Sequence, residues 1–282
     1  MGSGYVSKEF LMIQKFIEDI CGIALGEEKA FLLESKLSKM LAESAFSSFD
    51  ELYRDICCWN DPKIIESFID IVTINETFWF RDKTSWNIME DLLLPVYIQE
   101  IRDGKREKIR IWSAACSYGQ EPYSIAMCVD NYLDENSIFD VQMKHFEILA
   151  TDISKTVLQI AEVGRYDNIA ILRGLNEPYK LKYFTNQGRV WKLEEKIKKS
   201  VRFEQFNLIK DFSCLGRFDI IFFRNVMIYF SEQLKKEMLN KIMNSLNPRG
   251  ALFIGSSELL VDQGSTFSME KYTNGSYFKV KG

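Results

Sequence analysis

Four short segments of this 282-residue sequence bring acids, amides, hydroxyls and aromatic rings together in chemically suggestive ways. They are Asn75-Glu76-Thr77-Phe78-Trp79-Phe80-Arg81, the run from Ser113 to Pro122 (SAACSYGQEP), Leu149-Ala150-Thr151-Asp152, and Phe222-Phe223-Arg224-Asn225 followed by Tyr229-Phe230. The second is a run of small residues that ends at a proline-marked helix start, where a ligand can approach the backbone. It has neither the three glycines of a dinucleotide fingerprint nor the lysine of a phosphate loop, so a ligand without phosphates is expected. Asp152 stands where an acid accepts hydrogen bonds from a ribose diol, and equally where an aspartate caps a following helix. The aromatic Asn75–Arg81 segment could bind a ligand or pack between domains. Arg224, Asn225 and Tyr229 set a charge, an amide and a phenol at a strand end, which is more than strand termination needs.

Some chemistries lack their parts. The single histidine, His145, precedes an apolar run and reads as a surface or strand-edge residue, so His-based triads and metal sites lose their base or ligand. The six cysteines show no paired CxxC spacing and read as reduced thiols of a cytoplasmic protein, with no metal expected.

These segments need elements to carry them. From Ser7 to about Val72 apolar residues recur at helical spacing, as in Phe10, Ile13, Phe16, Ile17 and Ile20, predicting a small domain of three or four helices. A further helix, about Thr84 to Ile101, leads into alternating strands and helices. Strands are expected at Ile109–Ser113, Phe146–Ala150, Phe218–Phe223 and Ala251–Ile254, and helices near Pro122–Leu133, Lys155–Glu162 and Glu232–Leu246. That alternation predicts an α/β fold with a doubly wound parallel sheet, whose ligands bind beyond the carboxyl ends of the strands. Thr273-Asn274-Gly275 predicts a closing antiparallel hairpin. Between Gly164 and Phe206 the pattern breaks into an inserted antiparallel unit that includes Val201 to Phe206. The division expected is 5–83 for the helical domain and 84–282 for the second, with the insertion at about 164–206.

A chain with 46% hydrophobic residues can bury one large core and a small satellite. Met1-Gly2-Ser3-Gly4 reads as an expression remnant, and no later window is a long uncharged apolar run, so no membrane insertion is expected. The formal net charge of −4 argues against nucleic acid held over the whole surface.

Taken in order, the four segments resemble the chemotaxis receptor methyltransferase (CheR) family. Its pattern runs Asn-x-Thr-x-Phe-Phe-Arg, a small-residue loop ending Glu-Pro-Tyr-Ser, Ala-Thr-Asp-Ile, and Arg-Asn-Val-x-Ile-Tyr-Phe. The resemblance extends over nearly the whole chain, including Tyr183-Phe184-Thr185, Asn207-Leu208 and Gly255-Ser256-Ser257-Glu258. It implies a class I methyltransferase-like sheet that binds S-adenosylmethionine, an N-terminal all-helical domain and a small inserted β-subdomain. Carried over by position, the cofactor contacts are Asn75, Thr77, Arg81, Glu121, Asp152, Asn207, Leu208, Arg224 and Asn225, and the catalytic positioners are Arg81 and Tyr229. The chain departs from the family loop at Ala115, which replaces a glycine, at the bulky Tyr118, and at Gln120, which replaces an acid.

The resemblance implies a protein-glutamate O-methyltransferase that esterifies glutamates on the cytoplasmic helical bundle of chemotaxis receptors and releases S-adenosylhomocysteine. It would be a cytoplasmic monomer recruited to membrane-bound receptor arrays, with a receptor C-terminal tail as a further ligand of the β-subdomain. The helix expected from Glu28 to Leu41, with Lys29, Lys36 and Lys39, and the basic stretch Lys192 to Arg202 are the candidate docking surfaces. The competing readings are an S-adenosylmethionine-binding regulatory or scaffold module, and a methyltransferase of the same fold with another acceptor.

Overall fold

The computed structural model describes residues 8–24, 35, 51, 54, 62–260 and 266–281. In the N-terminal region α1 (Lys8–Cys21) and α2 (Pro62–Val72) pack through Ile13, Ile17, Cys21, Phe68 and Val72, and Phe16 meets Phe68 edge-on at 5.8 Å. A helix of this length is marginal alone, and burying an isoleucine contributes about 1.5–3 kcal/mol, so tertiary packing holds α1 in place. The helix expected from Glu28 to Leu41 lies, apart from Ser35, outside the described residues.

α3 (Lys83–Ile88) continues through a π-helical stretch, Met89–Leu93, into α4 (Leu94–Arg102). Then the alternation expected from the sequence begins: β1 (Ile109–Ala114), α5 (Gln120–Glu135), β2 (Phe146–Asp152) and α6 (Lys155–Val163). Ser154 is the N-cap of α6 and accepts from Val157 N. His145 ends a 3-10 turn before β2, where its Nδ1 accepts from the Gln142 N–H at 3.0 Å.

The insertion holds β3 (Arg165–Asp167), α7 (Asn168–Leu172), α8 (Glu177–Tyr183), β4 (Phe184–Asn186), β5 (Val190–Leu193) and α9 (Glu195–Lys198). Its three strands form a separate antiparallel sheet in the order β3-β5-β4. Next come β6 (Val201–Gln205), β7 (Phe218–Phe222), α10 (Glu232–Ser245), β8 (Leu246–Phe253), β9 (Phe267–Tyr272) and β10 (Gly275–Val280).

The main sheet runs β6-β2-β1-β7-β8-β10-β9, with β6 to β8 parallel and the β9–β10 hairpin antiparallel. This corrects the expectation for Val201–Phe206. β6 is not a strand of the inserted sheet but the parallel edge of the main one, pairing Ile148 with Val201 through Asp152 with Gln205. A strand's partner is a tertiary choice that its alternation pattern leaves open. Arg202 therefore lies on the main sheet and pairs with Glu204 at 3.3 Å.

Register brings the chemistry together. Ala114 lies opposite Thr151 and Ser113 opposite Phe222, so the segments after β1, β2 and β7 leave the sheet at one edge. All five residues of β7 are buried, as expected of a central strand covered on both faces.

Candidate active site

At that edge lies an open cleft of about 1200 Å³, a volume that takes in open solvent at its mouth. Asn75, Thr77, Arg81, Glu121, Asp152, Asn207, Leu208, Arg224 and Asn225 all line it, as does Tyr229. Every site residue expected from the sequence is thus brought to one cavity.

Asp152 ends β2 and is buried. Its Oδ2 accepts from Ser117 N at 2.8 Å and its Oδ1 from Ser154 N at 3.0 Å. Because Ser154 caps α6, the helix-cap reading of Asp152 does not hold. Each carboxylate oxygen accepts one of these backbone bonds and retains acceptor capacity, enough for the two hydroxyls of a ribose. Burial raises the carboxyl above its ordinary value, against the backbone N–H groups that favour its charge.

The loop after β1 is bent to make this contact. Ala115, Ser117 and Gly119 have φ of 53°, 52° and 88°. Ala115, the residue standing for a family glycine, thus occupies the left-handed region that glycine adopts without strain, at a cost of roughly 1–2 kcal/mol. Gln120, standing for a family acid, is buried, and its Oε1 has no hydrogen-bond partner among the described residues.

Beneath the cleft Arg224 ties three elements together. Its Nη1 donates to Glu121 Oε2 at 2.9 Å, and its Nη2 donates to Asp82 Oδ2 at 2.7 Å and to the Arg81 carbonyl at 2.6 Å. Glu121 Oε1 also accepts from Ser113 Oγ at 2.8 Å. Burial raises the Glu121 carboxyl, with Arg224 pulling against it. Burial also works against Asp82, but there Arg224 and Ser256 prevail and hold the carboxyl below its ordinary value.

Arg81 does not pair with the carboxylate of Glu76 or Asp82. Glu76 is joined to Arg173 at 3.0 Å and Asp82 to Arg224, while Arg81 Nη1 donates to the Glu76 carbonyl at 3.2 Å. The Arg81 guanidinium lies 5.2 Å from the Phe78 ring centroid. Tyr229 ends a 3-10 turn, Met227–Tyr229, and burial raises its phenol, with the Arg81 charge pulling the other way. The phenol therefore stays protonated near neutral pH.

The two readings of the aromatic segment divide it. Trp79 is fully buried against Tyr166 and Phe184, with ring centroids at 4.8 and 5.2 Å, and its indole N–H donates to Ala170 O. Phe80 meets Trp86 edge-on and Tyr179 at a tilt, with ring centroids at 5.2 and 4.5 Å. These two rings pack the segment to the insertion, while Phe78 faces the cleft. Gly174 (φ 95°) permits the contact, since a Cβ there would lie 2.1 Å from Trp79 O.

On the far wall Asn207 Nδ2 donates to Ile20 O at 2.6 Å and its Oδ1 accepts from Ile209 N, so the amide joins α1 to the cleft. Lys241 Nζ donates to the carbonyls of Ile209 and Lys210 at 2.6 and 3.0 Å, fixing the turn after Leu208. The Ala24 N–H donates to Tyr229 O at 2.7 Å. The reading from the sequence missed Cys21 and Ile23, which line the cleft from the N-terminal region. It also missed the apolar lining of Ile153 and Phe206.

The cleft fits S-adenosylmethionine by its donor set. Asp152 suits the ribose, Glu121 a cationic group, and Ile153, Phe206 and Leu208 an aromatic base. Among the described residues no group of three or more His, Cys, Asp or Glu could hold a metal ion, and no helix is long and apolar enough to cross a membrane.

Two family models cover the chain: CheR methyltransferase, all-alpha domain, matches residues 8–73, and CheR methyltransferase, SAM binding domain, matches residues 75–276. The chain is similar to chemotaxis protein methyltransferase Cher2 of Pseudomonas putida, 38% identical over 97% of this chain and 98% of the relative. It is similar to chemotaxis protein methyltransferase 1 of Vibrio cholerae, 39% identical over 97% of each chain. It is also similar to the chemotaxis protein methyltransferase of Borreliella burgdorferi, 36% identical over 89% of this chain and 88% of that one.

Proposed function

From the premise that this chain belongs to the CheR methyltransferase family and uses S-adenosylmethionine, we propose that it esterifies glutamate side chains of chemotaxis receptors. The products would be glutamate methyl esters and S-adenosylhomocysteine, for sensory adaptation. The observation that carries this reading is the convergence of Arg81 and Tyr229 with Asp152, suited to a ribose, and Glu121, suited to a cationic group, on one cleft.

When bound, the cofactor supplies an electrophilic methyl group. The acceptor glutamate, with an ordinary pKa of about 4.3, is already ionised at neutral pH, so the cleft needs no general base. Its work is to aim and desolvate the carboxylate. Arg81 offers a fork of N–H donors to one acceptor oxygen, and too firm a grip would blunt the nucleophile. Tyr229, held protonated by burial, offers a weaker donor. Asp152 would hold the ribose hydroxyls and Glu121 the ammonium, while Asn207, Leu208 and the nearby backbone would bracket the base.

The receptor surface is expected to be a negatively charged helix. The docking candidate from Glu28 to Leu41 lies, apart from Ser35, outside the described residues. In the other candidate, Lys192 pairs with Glu195 at 3.2 Å and Lys196 with Asp130 at 2.9 Å, which supports a solvated face there. Monomeric enzyme recruited from the cytoplasm to receptor arrays completes the reading.

The test is calorimetric titration with S-adenosylmethionine and S-adenosylhomocysteine, then transfer of labelled methyl to receptor cytoplasmic fragments. Binding with base-labile label is expected. Binding without label would turn the reading to a sensor, a scaffold or a methyltransferase with another acceptor.

A further inference from the structure

Asn225 reaches the cleft from a backbone that few residues adopt. Its φ is 58°, and it follows directly on the buried Arg224. Asparagine tolerates the left-handed region better than most residues, yet the conformation still has to be held.

The holding group comes from the turn after β8. Glu258 Oε2 accepts from Asn225 N at 2.8 Å and from Gly255 N at 2.7 Å, and the Glu258 N–H donates back to Gly255 O at 2.9 Å. Glu258 is buried, and its other oxygen, Oε1, has no hydrogen-bond partner among the described residues. A buried carboxylate accepting two backbone N–H bonds through one oxygen fixes the position of both peptides. Gly255 is required for the fit, since a Cβ there would lie 2.5 Å from Asn225 Nδ2 and 2.9 Å from Glu258 Oε2. The same turn reaches the other side of Arg224, where Ser256 donates to Asp82 through Oγ at 3.2 Å and N at 3.3 Å.

We infer that Glu258 is a positioning residue for cofactor binding that acts through Asn225, using the geometry of its carboxylate oxygen rather than its charge. Glu258 does not line the cleft; Asn225 does. The inference rests on the reading of Asn225 as a cofactor contact.

Titration of S-adenosylmethionine into the full chain tests it, with folding followed by thermal melting. Asn225→Ala should weaken binding about 10-fold, the scale of one lost hydrogen bond. Glu258→Ala should weaken it by a similar factor, and the double variant should be no weaker than Asn225→Ala alone. Glu258→Gln keeps a carbonyl oxygen able to accept both N–H groups and should bind within about 3-fold of wild type. Gly255→Ala, which keeps both side chains but presses its methyl group on the Asn225 amide and on Glu258 Oε2, should weaken binding by displacing that contact, and serves if Glu258→Ala does not fold. Multiplying losses in the double variant, or a Glu258→Gln as weak as Glu258→Ala, would overturn the proposal. Wild-type binding by Asn225→Ala would remove the reading of Asn225 itself, and the proposal with it.

Discussion

Arg224 Nη1 lies 2.9 Å from Glu121 Oε2, joining the end of β7 to the first turn of α5 beneath the cleft. The Arg224 side chain is 1% exposed and that of Glu121 15%, so the pair is sheltered from water. Such a pair holds its site together mainly because breaking it strands the remaining charge.

Removal of the arginine is therefore expected to be costly. Arg224→Met should leave the partly buried Glu121 and Asp82 without their cation and lower unfolding free energy by about 3 kcal/mol. Urea denaturation of both proteins measures it, and a loss below about 1 kcal/mol would contradict this account of the pair.

Asp152 and Tyr229 should separate binding from transfer. Asp152→Ala loses the acceptor proposed for two hydroxyls and should weaken S-adenosylmethionine by on the order of 100-fold or more. Tyr229→Phe should bind nearly as wild type while slowing transfer by about 10- to 100-fold. Titration and single-turnover rates distinguish the two, and an equal loss of binding in both would refute the assignment of roles.

Acid should remove binding before it removes the Asp82 contribution to the fold. The Asp152 carboxyl is raised by burial, so folding favours its protonated form, and its contribution to stability increases as pH falls through the folded value. The acceptor for the ribose is lost over the same interval. Asp82 is depressed: the stability it contributes is present above the unfolded value and is lost as pH falls through its lower folded value. Cofactor affinity should decline first, at a pH above the ordinary aspartate value of about 3.9, and the Asp82 contribution at lower pH. Titrations and melting curves across one pH series give the order.

Gly174 tests the anchoring of the aromatic segment. Gly174→Ala would drive a methyl group against Trp79 O and should destabilise the chain by at least about 1–3 kcal/mol. Trp79 fluorescence should change with it, and a variant as stable as wild type would contradict the close approach.

Much of this protein is written locally. The alternation of apolar runs specified a parallel sheet, the turn signal Thr273-Asn274-Gly275 marked the closing hairpin, and three of the four polar segments fell at strand ends where parallel sheets bind ligands, while Asn75–Arg81 lies between α2 and α3. Their residue types and order were also enough to carry the family resemblance. Local signals suffice here because periodicity, turn chemistry and capping depend on neighbours within a few residues.

The tertiary structure decided the choices among distant partners. It put Val201–Gln205 on the main sheet beside β2, because its alternation is equally compatible with either sheet. It made Ser154 the cap and left Asp152 to the cleft. It gave Arg224 to Glu121, 103 residues earlier, and Glu76 to Arg173, 97 residues later, leaving Arg81 to face the cleft. A guanidinium's partner is the carboxylate that the fold brings within a few ångströms under low dielectric, and sequence separation carries no record of that distance.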